Sequence, residues 1–143
     1  MKRILVALDA SPRAMLVLDA AVDLARRTGA KVTMYRSVSL PPEIPTQLYM
    51  SSDGDLKQLL TDTARKELEA LSGKVPAELL EAVTVEVASP WDGICRAAKA
   101  IDADLIMVGS HGYHGLDRIL GTTAAKVVNH ADRSVLVVRN PLP

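Results

Sequence analysis

RILVALDASPRAM, residues 3–15, sets how the rest of the chain must be read. After Arg3 the next five residues, Ile4–Leu8, are all apolar, with no polar residue alternating between them. A strand with one face in water alternates, whereas a strand covered on both faces does not. The run from 3 to 8 therefore reads as a strand inside a parallel sheet. It stops at Asp9, and Ser11-Pro12 reads as a helix start, with Ser11 as the cap and Pro12 at the first helical position, where its missing N–H is harmless. Apolar residues then recur at Met15, Leu18, Val22 and Ala25, a helical spacing. Gly29 ends that helix, and Arg26 and Arg27 sit favourably near its negative end.

The same unit repeats outward from this stretch. KVTMYRSV, residues 31–38, reads as a second strand. SLPPEIPTQLYM, residues 39–50, carries three prolines and is not regular structure. A helix is predicted over about 53–71, with Leu56, Leu59, Leu60, Ala64, Leu68 and Leu71 on one face, until Ser72, Gly73 and Pro76 break it. AVTVEVA (82–88) is a third strand and PWDGICRAAKAI (90–101) a third helix. DLIMVG (104–109) is a fourth strand, a helix follows over 122–131, and SVLVV (134–138) is a fifth strand. Strands alternating with helices in this way imply an α/β fold: a five-stranded parallel, Rossmann-like sheet with helices on both faces. With no shift of composition along the chain, residues 1–143 read as a single domain, long enough to bury a core.

Composition narrows the function classes. Lys plus Arg is 17 and Asp plus Glu is 17, so the basic footprint of a sequence-independent nucleic-acid binder is missing. Aromatic residues are 3% of the chain, too few for platforms that stack exposed bases. The lone Cys95, within a helix whose Ile94, Ala97, Ala98 and Ile101 suggest a buried face, reads as a buried structural thiol. The N-terminal residues have neither a long apolar region nor a cleavage pattern, and no run approaches a membrane span, so a cytoplasmic protein is the expectation.

The richest chemistry lies in GSHGYHGLDRILGTT, residues 109–123, which holds four of the eight glycines. In open α/β sheets ligands bind beyond the carboxyl ends of the strands, where the winding reverses. The ends of strands one, two and four, at Asp9, Ser37 and Gly109, fall on that rim. Glycines at 109 and 112 would let main-chain N–H groups approach a ligand, and Gly121-Thr122-Thr123 opens a helix whose unpaired amides make an anion site. The spacing alone equally admits a connection that only turns a corner. Neither the P-loop nor the G-x-G-x-x-G fingerprint is present.

ILVALDAS near the start, ADLIMVGSHG leading into the glycine loop, and AAKVVNHADRSVLVV near the end together resemble the universal stress protein family of the UspA type. The resemblance covers the whole chain and implies an adenine nucleotide α-hydrolase-like sheet. Nucleotide-binding members resemble G-x2-G-x9-G-[ST]. Gly109, Gly112 and Gly121-Thr122 match, with eight residues (113–120) between the last two anchors in place of nine. Carried over position by position, the resemblance implies ATP, with Mg²⁺ arriving on the nucleotide. Adenine would lie beside Asp9, next to Ala7 and Leu8, and against the main chain of Ser37. The ribose would meet Val108 and Gly109, and the phosphates His111, Gly112, Gly121, Thr122 and Thr123. Asp9 has a second reading as a capping residue near Ser11. Arg36 replaces a histidine frequent in the family and is expected to face solvent.

The resemblance further implies a homodimer through the last strand, whose Val135, Leu136, Val137 and Val138 would otherwise leave an apolar edge exposed. Catalysis is not expected. The loop has no lysine, its one arginine, Arg118, reads as solvent-facing, and nothing activates Ser110. His111 and His114 do not make a metal site with His130, which lies about 12 Å along the next helix. The expected role is a stress-response module that senses or signals nucleotide state, with a ligand-free dimeric scaffold as the alternative.

Overall fold

The computed structural model describes residues 1–40, 55–110 and 120–139. The proline-rich segment 41–50, most of the glycine loop and the last four residues lie outside them. Among the described residues five strands alternate with four helices: β1 (Arg3–Ala7), α1 (Ala14–Thr28), β2 (Lys31–Val38), α2 (Asp55–Ser72), β3 (Leu80–Val87), α3 (Pro90–Ala100), β4 (Leu105–Gly109), α4 (Thr122–His130) and β5 (Ser134–Val138). The strands form one sheet in the order β3-β2-β1-β4-β5, with every neighbouring pair parallel. Because βαβ crossovers keep one hand, reversing direction after β3 puts the later helices on the opposite face.

The central strands carry that division residue by residue. Ile4 and Val6 of β1, with Leu105 and Met107 of β4, enter a core covered by α1 and α2. Leu5 of β1, with Ile106 and Val108 of β4, enters a second core beneath α3 and α4. Both sets are buried, which is why neither strand alternates apolar with polar residues. Gly29 closes α1 in the left-handed region, at φ 77°, and its N–H donates to Ala25 O at 2.8 Å.

Local expectations changed in four places. α1 starts at Ala14 rather than at Pro12, and its cap position is Arg13. The Ser11 amide donates to Asp9 Oδ1 at 2.9 Å, the Ser11 carbonyl accepts from Ala14 N at 3.1 Å and its hydroxyl from Arg13 N at 3.2 Å, so a turn comes first. β3 begins at Leu80, before Ala82. On α2, Ala64 and Leu68 are buried but Leu59 is 62% exposed. Five residues before Ala64 is a rotation of about 140° away from it, so Leu59 leaves the buried stripe. Cys95 is half-buried rather than buried, and desolvation, then the charges of Asp92 and Asp132, push its thiol pKa up, leaving it poorly reactive.

Candidate functional site

Where the order reverses, between β1 and β4, the chains leaving the two strands diverge and leave a crevice at their carboxyl ends. A cleft of about 450 Å³ fills it. Ala7, Leu8 and Asp9 reach it from the end of β1, Ser37 from β2, and Val108 and Gly109 from β4. Gly121, Thr122 and Thr123 bring the start of α4 to the same cleft. The sequence-predicted His111 and Gly112, like His114 and Arg118, lie outside the described residues.

At the α4 end, Gly121 occupies the cap position in an extended conformation with no side-chain cap. Its own N–H is tied back to Ser110 O at 3.2 Å. The next three amides, of Thr122, Thr123 and Ala124, find no acceptor among the described residues; Ala125 N resumes the helical ladder on Gly121 O. First-turn amides of this kind carry the partial positive charge of a helix start.

At the β1 end, Asp9 is exposed and Oδ1 accepts the Ser11 amide. Asp9 is not the cap of α1, whose cap position is Arg13; it lines the cleft and steadies the turn that precedes the helix. A carboxylate has acceptor capacity for more than one bond. Arg36 does not face solvent as expected. It is 7% exposed and lines the cleft, donating from Nε to Leu8 O (3.1 Å), from Nη2 to Asp9 O (2.9 Å) and from Nη1 to Glu67 Oε2 on α2 (2.7 Å).

Sequence reasoning also missed the rest of the wall: Ala14 and Val17 of α1, Tyr35 of β2, Pro90 and Ile94 of α3, and Ala124 of α4. Tyr35 and Arg36 directly precede Ser37, and Pro90 opens a helix just past the rim, so adjacency to predicted rim positions was the available signal. His130 stands at the far end of α4, where its Nδ1 pairs with Lys126 O at 2.8 Å and its ring packs on Trp91 with centroids 4.5 Å apart. Among the described residues no group of three His, Cys, Asp or Glu could hold a metal, and no helix is long and apolar enough to cross a membrane.

The sequence profile of the universal stress protein family matches residues 1–139, nearly the whole chain. The chain belongs to the universal stress protein family. Universal stress protein A homolog 1 of Coxiella burnetii is 32% identical over 140 residues, spanning 96% of this chain and 95% of that one. Among solved structures, the universal stress protein UspA from Lactobacillus plantarum is 27% identical, with a TM-score of 0.69 over 96% of this chain and 97% of that one. The hypothetical protein MJ0577 shares the fold more closely, with a TM-score of 0.82 over 99% and 98% of the two chains at 24% identity. Other universal stress proteins of this fold were solved with adenine nucleotides. One is in complex with cAMP (20% identity, TM-score 0.65, covering 96% of each chain), and one from Archaeoglobus fulgidus is in complex with dAMP (23%, 0.61, 97% of this chain and 98% of that one).

Proposed function

We propose that this universal stress protein holds an adenine nucleotide, ATP, in the cleft and acts as a homodimeric stress-response module reporting nucleotide state, with little or no turnover. The observation that carries the reading is the pairing of two chemistries across one cleft: a carboxylate at the end of β1 and, at the start of α4, amides that find no acceptor among the described residues. A carboxylate accepts from an exocyclic amine or a ribose hydroxyl. Helix-start amides suit a phosphate tail, at about 1.5–3 kcal/mol for each charge-assisted bond. Adenine then lies beside Asp9 and the main chain of Ser37, with Ala7 and Leu8 at its side and the ribose against Val108 and Gly109. The phosphates lie on Gly121, Thr122 and Thr123, with His111 and Gly112 completing the cradle. The cAMP and dAMP complexes of relatives support an adenine nucleotide over other anions.

Fast phosphoryl transfer needs neutralised phosphate charge and an oriented nucleophile. The cation in the described wall, Arg36, is bound to two carbonyls and Glu67, and Ser110 on the rim is buried. Such a site holds a nucleotide without hurrying its hydrolysis. Mg²⁺, when present, rides on the phosphates and keeps most of its waters.

The decisive experiment denatures purified protein, chromatographs the supernatant for released nucleotide, and titrates ATP by calorimetry. Micromolar or tighter binding is expected, lost in Gly121→Val, which puts a branched side chain at the helix entrance. No released nucleotide and no heat up to about 1 mM ATP, some 4 kcal/mol of binding free energy, ends the nucleotide reading. An intact dimer in that case leaves the ligand-free scaffold, the alternative that the eight-residue spacing between Gly112 and Gly121 motivates.

A further inference from the structure

We propose that Arg36 is a positioning residue: it fixes the direction of the Asp9 carboxylate and, its charge cancelled by Glu67, leaves the Asp9 end of the cleft without free positive charge, so that a nucleotide lies with its base there and its phosphates at α4. The inference rests on the nucleotide reading for its second half only. Its first half stands on geometry. The sheet ladder runs out at this rim. β1 pairs with β4 no further than Val6↔Met107 and with β2 no further than Ala7↔Tyr35, and Leu8 N makes a last bond to Tyr35 O at 2.8 Å. The carbonyls of Leu8 and Asp9 lie beyond that point, and both are taken by one guanidinium.

Those carbonyls belong to the two successive peptide planes that meet at the Asp9 Cα. Each plane is rigid, so fixing both fixes the bond from which the carboxylate projects. The side chain then has a second anchor in the Ser11 amide on Oδ1. A planar fork is needed for this span; an ammonium is a compact point donor and cannot occupy both carbonyls and a carboxylate in the same way. Glu67, itself 53% exposed, provides the counter-charge that lets a 7% exposed cation stay in the wall. A buried, paired arginine is a poor phosphate partner, so the attraction for polyphosphate is left to the α4 amides.

The test is a double-mutant cycle with an exchange readout. Calorimetric ATP affinity is measured for wild type, Arg36→Met, Asp9→Ala and the double variant, alongside hydrogen exchange of the Ser11 amide by NMR. Arg36→Met and Asp9→Ala are each expected to weaken ATP by about tenfold and the double variant by no more than the larger single effect, the signature of one shared interaction. Exchange at Ser11 should quicken by about tenfold in Arg36→Met, the loss expected for about 1.4 kcal/mol, while Ile106 in β4 keeps its protection. Single effects that multiply to about a hundredfold, or an unaltered Ser11, overturn the proposal. Should Arg36→Met fail to fold, Arg36→Lys keeps the charge for Glu67, loses the two-carbonyl span and decides the matter by the same Ser11 exchange. If wild type binds no ATP, the nucleotide reading fails by itself, and Ser11 exchange still settles whether Arg36 positions Asp9.

Discussion

Tyr35 is fully buried, yet its hydroxyl has no hydrogen-bond partner among the described residues. Burial first, and then the nearby Glu86 charge, push its pKa far up, so the phenol stays neutral. The hydroxyl fits because the facing α3 position is Gly93: a Cβ there would run into the Tyr35 oxygen and stand 2.9 Å from Ala88 Cβ. Two opposing effects meet at this glycine. Alanine is the better helix former by about 1 kcal/mol, but overpacking costs about 1–3 kcal/mol. The clash involves the end of a ring held on a central strand, so it wins. Gly93→Ala is expected to destabilise by about 1–2 kcal/mol in urea titrations. Tyr35→Phe removes an unsatisfied hydroxyl and is expected to be neutral or stabilising by up to about 1 kcal/mol. In the Phe background the alanine should cost less, since only the Ala88 contact remains tight. Equal costs in both backgrounds would mean that the hydroxyl is not what excludes a side chain at Gly93.

At the scale of elements, the start of β1 is held by the connection that precedes β4. Asp104 Oδ2 accepts the amides of Lys2 (2.6 Å) and Arg3 (2.8 Å), while Asp104 N donates to Arg3 O (2.9 Å). The two amides hold the Asp104 carboxyl below its usual pKa. A depressed folded-state value stabilises above the unfolded pKa, near 4, and that stability fades as pH falls through the folded value. Wild type should therefore exceed Asp104→Ala in unfolding free energy by a constant margin at pH 5–7, with the margin shrinking below about pH 4. A margin independent of pH would mean that the charge on Asp104 contributes nothing. Such long-range ties mark the limit of what the sequence disclosed. The strands were legible because unbroken apolar runs such as Ile4–Leu8 have one economical placement, and the rim followed from strand order, which brings Asp9, Ser37, Gly109 and Gly121 together. The first turn of α1 was misjudged because Ser11 satisfies the turn before the helix, using Asp9 as its acceptor. Arg36 was misjudged because an arginine's burial is decided by its partners, here 27 to 31 residues away, and no local spacing encodes them.

For the whole molecule, the sheet has two edges and they differ. β3, LEAVTVEV, carries Glu81 and Glu86, charges that discourage edge pairing. β5, SVLVV, has no charge, is paired only with β4 among the described strands, and leaves Leu136 37% exposed. An uncharged apolar edge is the side open to pairing with another copy, so we propose the homodimer interface at Val135–Val138 rather than at β3. Leu136→Asp is expected to convert a dimer to a monomer by light scattering, with its far-ultraviolet dichroism unchanged, whereas Ala82→Lys on the exposed side of β3 should leave the dimer intact. The cleft takes none of its wall from β5, although Val138 O accepts the Ser110 amide close to the rim. The Leu136→Asp monomer is therefore expected to titrate ATP with the wild-type affinity. A variant that stays dimeric moves the interface elsewhere. A monomer that loses ATP while β4 keeps its exchange protection makes the second subunit part of the binding site, because among the described residues Leu136 does not line the cleft.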